Sequence, residues 1–185
     1  RDRSAEMFYE KALGDKEKAK NKNITVIKAL LEDSLPQLKG QKFDFILVSS
    51  LLHEIPDQPK FFKTLSDIAS ENTVIHFNVP NASSFHRLLA VEMGLIKTEF
   101  QKSDSNIQFQ QHTVFNLNLL KKTVEKNGFN VIESGSYSFK PFTHQQMQNM
   151  ININLITEQM LDGFYKMERY LPELGSEIFV NIKKK

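Results

Sequence analysis

A chain of 185 residues, 40% of them hydrophobic, is long enough to bury the core of one domain. Its formal charge of +2, from 24 Lys and Arg against 22 Asp and Glu, is too small for a nucleic-acid footprint, and the lysines at 183–185 read as a solvated end. The absence of cysteine excludes a disulfide framework and a thiolate metal site, and no apolar run approaches the roughly 20 residues of a membrane span; a cytoplasmic protein with neither nucleic-acid nor membrane partners is expected.

Residues 1–22 carry Ala5, Phe8, Tyr9, Ala12 and Leu13 at helical spacing, with Ser4 as N-cap and Asp2 where a helix dipole favours a carboxylate. NITVIKA (23–29) alternates as an edge strand does. The acids of Leu30-Leu31-Glu32-Asp33 can cap a turn over 34–38, and Gly40 ends that segment. The apolar run Phe43, Phe45, Ile46, Leu47 and Val48 then predicts a strand covered on both faces. Ser49, Ser50, His53 and Glu54 follow it, at the carboxyl end of a strand, where open α/β sheets bind ligands. Pro56 and Asp57 close this loop, and a helix from near Pro59 carries Phe61, Phe62, Leu65 and Ile68 on one stripe.

A second strand spans 73–79, with Val74, Ile75, Phe77 and Val79 inward and His76 packed within it. Pro80-Asn81 turns the chain, Ser83 or Ser84 caps a helix over 85–93, and Gly94 ends it; His86 and Arg87 lie on this helix. Residues 97–111 lack a period and predict a loop, of the length expected of a lid. A helix over 117–126 stops at Asn127-Gly128, and a strand over 129–138 follows. From 143 to 171 the chain reads as helical and methionine-rich, with Met147, Met150, Met160 and Met167 filling core or a helix–helix contact, before a last strand over 177–182. No H-x-x-x-H, H-E-x-x-H or G-x-S-x-G pattern occurs, so no metal site is expected.

The run FDFILVSSLLHEIPD, the strand TVIHFNVPN and the following SSFHRLLAVEMGLI resemble, in order and spacing, the central and C-terminal parts of class I S-adenosylmethionine-dependent methyltransferases. The likeness extends from about Asp2 onward and is densest from Phe43 to Leu95. It implies a Rossmann-like α/β fold, mostly parallel with an antiparallel last strand, in which residues near 24–28, 43–48 and 73–79 are strands 3, 4 and 5. It also implies S-adenosylmethionine as cofactor and a small-molecule hydroxyl, amine or carboxyl as methyl acceptor.

Residue by residue, Asp2-Arg3-Ser4 is similar to the family's acidic ribose-binding strand end, and Leu31, Glu32 and Asp33 fall at its adenine edge, Glu32 first. Ser49 and Ser50 fall beside the cofactor, His53 is placed as a base near the methyl group or as a packed histidine, and His86 with Arg87 is placed at the acceptor. The family's first strand and glycine-rich turn have no counterpart, since none of the seven glycines forms a G-x-G cluster. A piece of a longer protein lacking strands 1 and 2 is expected, making 1–185 one methyltransferase domain incomplete at its N-terminus. The alternative is a methyltransferase-like interaction module without catalysis. Residues 143–171 then form a helical insertion that covers the substrate or builds a homodimer surface.

Overall fold

The computed structural model describes residues 25–185, so the expected helix over 1–22 and its Asp2 lie outside the described residues. Two compact units divide at Gln41 and Lys42. In the first, residues 25–29 form no strand, which corrects the edge strand expected there. A strand exists only as one side of a ladder, and these residues pair with none among those described. The turn expected at 30–38 is instead a helix, α1 (Leu31–Leu38), whose first turn holds Glu32 and Asp33, the charges that complement unpaired N–H groups. The Ser34 hydroxyl donates to the Leu30 carbonyl at 2.8 Å.

The second unit runs β1 (Phe45–Ser49), a 3-10 turn (Leu52–Glu54), α2 (Gln58–Ile68), β2 (Val74–Pro80), α3 (Phe85–Glu92), α4 (Asp104–Gln108), α5 (Leu117–Lys126), β3 (Phe129–Tyr137), α6 (His144–Asn152), α7 (Glu158–Lys166), a second 3-10 turn (Met167–Arg169) and β4 (Glu177–Lys184). The sheet order is β1-β2-β4-β3. β1 and β2 are parallel and β4 is antiparallel to both its neighbours, so β1, β2 and β3 point one way and the last strand runs against them. This is the α/β arrangement expected.

The core follows from strand alternation. Val48, Ile75, Phe77, Val79, Ile178, Val180 and Ile182 are buried, alternating with more exposed neighbours along β1 and β4. Phe62 of α2 is the hub, with ring centroids 5.5 Å from Phe77, 5.9 Å from Phe129 and 6.0 Å from Phe61. Burying each such ring contributes about 2–3 kcal/mol. The Asp57 carboxylate accepts from the Lys60 N–H at 3.1 Å and starts α2, and the Asn116 side chain accepts from the Leu119 N–H at 2.8 Å and starts α5. Gly128, at a φ of +89°, ends α5 where Asn-Gly predicted a stop.

Three further expectations change. β1 is not covered on both faces: Phe45 and Leu47, on the face opposite the buried Val48, are 71% and 74% exposed. The loop over 97–111 contains the short helix α4. The helix expected over 143–171 breaks in two at left-handed Asn154 (φ 57°), with Thr143 and Thr157 each capping its own piece.

Candidate active site at the carboxyl edge of the sheet

The parallel strands bring their carboxyl ends to one edge, where the chain turns polar. Ser49 ends β1 opposite Asn78 of β2. Ser50 takes a left-handed conformation (φ 47°), donates its N–H to the Asn78 carbonyl at 3.0 Å and accepts from Asn78 Nδ2 at 3.3 Å. Asn78 is 6% exposed, so these bonds satisfy an amide that burial would otherwise penalise. Beyond β2, the Asn81 amide donates to the carbonyls of Glu173 and Gly175, both at 2.8 Å, and ties this turn to the loop that begins β4. A Cβ at Gly175 would stand 2.3 Å from the Tyr137 carbonyl oxygen, so only glycine allows that loop to approach β3.

β4 thereby starts with Glu177 opposite both Pro80 and Tyr137. Residues at alternate positions share a face, which places Tyr137, Glu177, Phe179, Asn78 and His76 on the side away from the core. Tyr137 and His76 flank Phe179, with centroids at 6.3 and 5.8 Å, and His76 Nδ1 lies 2.7 Å from Asn181 Oδ1. At Gly135 a Cβ would come within 2.9 Å of the Phe179 ring, so the missing side chain gives that ring its place. His76, Asn78, Tyr137 and Asn181 line an open groove of about 460 Å³ on this face, walled by Phe45, Leu47 and Val74 and with Ser49 at its polar part. Its lining contains no lysine or arginine.

One carboxylate, Glu177, pairs across the ladder with the groove-lining Tyr137. Burial pushes the Glu177 carboxyl up from its ordinary value, against a hydrogen bond from Asn78 and the nearby charge of Lys140. Its Oε2 is buried and has no hydrogen-bond partner. Burial, and then the Glu177 charge, also raise the Tyr137 phenol, with Asn78 opposing. A second cavity, of about 260 Å³, lies between Phe139 and the facing sides of α6 and α7, with Lys140 and His144 at its rim.

The structure distributes the sequence-predicted site residues unevenly. Ser49 and Ser50 are at the edge, as expected, and Ser49 lines the groove. His53 is packed, 4% exposed, and not among the groove-lining residues. Its carbonyl accepts from the N–H groups of His112 (2.8 Å) and Thr113 (3.2 Å), its Nε2 lies 3.7 Å from Glu54 Oε1, and burial lowers its pKa to about 4. Arg87 donates Nε to the Glu99 carbonyl at 2.7 Å and Nη2 to the Gln101 carbonyl, which commits the guanidinium to the loop after α3. His86 has a buried, unpartnered Nδ1, and its pKa is lowered to about 4 by burial and by the charges of Lys140 and Arg87. Leu31, Glu32 and Asp33 belong to the first unit, on the opening turn of α1. Sequence reasoning missed Asn78, Tyr137 and Glu177; the one available signal was the lone amide of Asn78 in the apolar end of β2.

Comparison with known proteins gives the chain a family. A family model described as a methyltransferase domain matches residues 4–134. Among solved structures, the chain is similar to an S-adenosylmethionine-dependent methyltransferase from Archaeoglobus fulgidus (16% identity, 88% of this chain and 68% of that one, TM-score 0.51). It is likewise similar to one from Thermotoga maritima described as a possible histamine N-methyltransferase (18%, 92% and 69%, TM-score 0.54). A third, from Galdieria sulphuraria, proposed to be a sarcosine dimethylglycine methyltransferase, shares 12% identity over 93% of this chain and 64% of its own, with a TM-score of 0.56. The chain thus spans about two thirds of the length of these structures. No curated protein matches it. No helix among the described residues is long and apolar enough to cross a membrane. The match over residues 4–134, on a chain whose strands run β1-β2-β4-β3 with the last reversed, makes this chain a member of the S-adenosylmethionine-dependent methyltransferase family.

Proposed function

We propose that the described residues build the acceptor side of a methyltransferase site, and that the enzyme methylates a small molecule through a hydroxyl, amine or carboxyl group. The observation that carries this reading is the convergence of Ser49, Asn78 and Tyr137, at the carboxyl edge of the sheet, on a groove without lysine or arginine. S-adenosylmethionine supplies an electrophilic methyl group on a cationic sulfur. The groove fits such a charge, because its apolar wall and polar groups include no lysine or arginine to repel a cation. Ser49 and Ser50 are the residues we assign to holding the cofactor in this unit.

Methyl transfer demands an acceptor held in line and, for a hydroxyl or an ammonium, a group that takes its proton. The Tyr137 hydroxyl offers a hydrogen bond that orients the acceptor, and the Asn78 amide, bonded to Ser50, fixes the floor beside it. Glu177, its carboxyl raised by burial, is a better proton acceptor than an ordinary surface carboxylate. The helices α6 and α7 are read as an insertion between the last two strands that flanks this site. Calorimetry with S-adenosylmethionine and its demethylated product, on the full-length gene product, tests the reading: saturable binding of both is expected, with Asn78→Ala lowering turnover roughly 10- to 100-fold. A full-length protein that binds neither compound is an interaction module, and the proposal fails.

A further inference from the structure

The helices between β3 and β4 leave a hollow that their own side chains do not fill. His144, Met147 and Ile151 recur at helical spacing on one side of α6, and Leu161, Phe164 and Tyr165 do so on one side of α7. Two apolar faces of this kind ordinarily interdigitate and bury each other. Here they line a cavity of about 260 Å³ together with the buried Phe139, and the Tyr165 ring is left 66% exposed. The volume sets the size of an occupant. An apolar cavity of about 150 Å³ accepts benzene, so this one has room for a ring and a short chain. The rings of Phe139, Phe164 and Tyr165 and the thioether of Met147 are contacts that favour an aromatic body.

The charge on the lining is one-sided. Lys140 and His144 belong to it, and no aspartate or glutamate does. Lys140 acts electrostatically on His86 and Glu177 but forms no ion pair with a carboxylate among the described residues, so its three donors are not spent there. The carboxylate bonded to a lining residue is Glu168, whose Oε1 already accepts the Ser138 N–H at 2.6 Å. We infer that this cavity is a binding site for an arylalkyl carboxylate, with the ring between α6 and α7 and the carboxylate on Lys140 and His144. An amine of the same shape would meet like charge, and an alcohol would forgo the charge-assisted bond. The inference rests on the cavity alone and holds whether or not the groove binds S-adenosylmethionine. Ser138, which lines the cavity, directly follows Tyr137, which lines the groove, so the two sites share the end of β3.

The test is an NMR titration at pH 7 of the full-length protein, isotope-labelled in its methionine methyl groups. The probes are phenylpropionate, phenylpropanol, phenylpropylamine and the ringless propionate. Phenylpropionate should bind saturably, move the Met147 methyl signal and bind at least roughly tenfold more tightly than each of the other three. Lys140→Gln should cut the preference for acid over alcohol to below about threefold, and Lys140→Arg should keep most of it. Ile151→Phe, which places a ring in the cavity, should weaken phenylpropionate at least roughly tenfold. Absence of saturable binding overturns the inference, as do equal affinities for the acid and any other probe, a preference that survives Lys140→Gln, or saturation that leaves Met147 unmoved. An unchanged affinity in Ile151→Phe overturns it too. Should that variant fail to fold, the Lys140→Gln comparison and the Met147 signal decide.

Discussion

One buried and one half-buried imidazole make stability depend on pH in a direction that can be worked out. His53 and His86 each titrate near 6.5 when unfolded and at about 4 when folded, because burial disfavours their charged forms. Between those values the unfolded chain binds more protons than the folded one, so stability is complete above 6.5 and is lost as pH falls towards 4. From pH 7 to pH 5, linkage sets an upper bound of about 2 kcal/mol per histidine. Local relaxation and water penetration around the charged ring reduce this to about 1 kcal/mol each. Glu177 works the other way, since its raised carboxyl takes up a proton earlier in the folded state and offsets part of the loss. Urea unfolding of the chain at pH 7 and pH 5 should therefore show a fall of about 2 kcal/mol. His53→Gln and His86→Gln should each remove about half of it. If the double variant keeps the full dependence, both rings are accessible to protons in the folded state and the burial argument is wrong.

Phe62→Ala should cost about 3–5 kcal/mol in the same assay, because one ring contacts Phe61, Phe77 and Phe129 and no neighbour can fill its volume; a loss below about 1 kcal/mol would mean that the core collapses around the gap. Arg87→Ala should speed limited proteolysis within residues 97–103, and Arg87→Lys should not restore resistance, since a single ammonium does not reproduce the fork that serves two carbonyls. Glu177→Gln should leave stability unchanged or raise it by about 1 kcal/mol at pH 7, because it removes a desolvated charge; a loss of more than about 1 kcal/mol would show a stabilising partner for Oε2.

The fold was legible where a local signal carried it. The apolar runs gave β1 and β2 to within two residues, and Asn-Gly marked the end of α5 at its observed place. Alternation failed at 25–29, because it reports which side chains suit a sheet and says nothing of whether a partner strand lies beside them. The methionine-rich stretch was read as continuous because its apolar spacing persists across the break; Thr157, a second cap, was the mark of two helices.

The site was legible only in half. Ser49 and Ser50 could be placed at the carboxyl edge of the sheet because the end of a parallel strand is a place that one strand announces by itself. Glu177 and Tyr137 could not be found that way, since their juxtaposition is created by the register of β3 on β4 and by the loop that Asn81 and Gly175 hold in place. Arg87 had the right chemistry for an acceptor site, and its guanidinium donates to the carbonyls of Glu99 and Gln101. What a polar side chain does is fixed by which of its hydrogen bonds the fold has already filled. Arg87 has found its acceptors and serves structure, whereas the bare oxygen of Glu177, on the strand whose alternate residues Ile178, Val180 and Ile182 are fully buried, is held in place by the core and still lacks a donor.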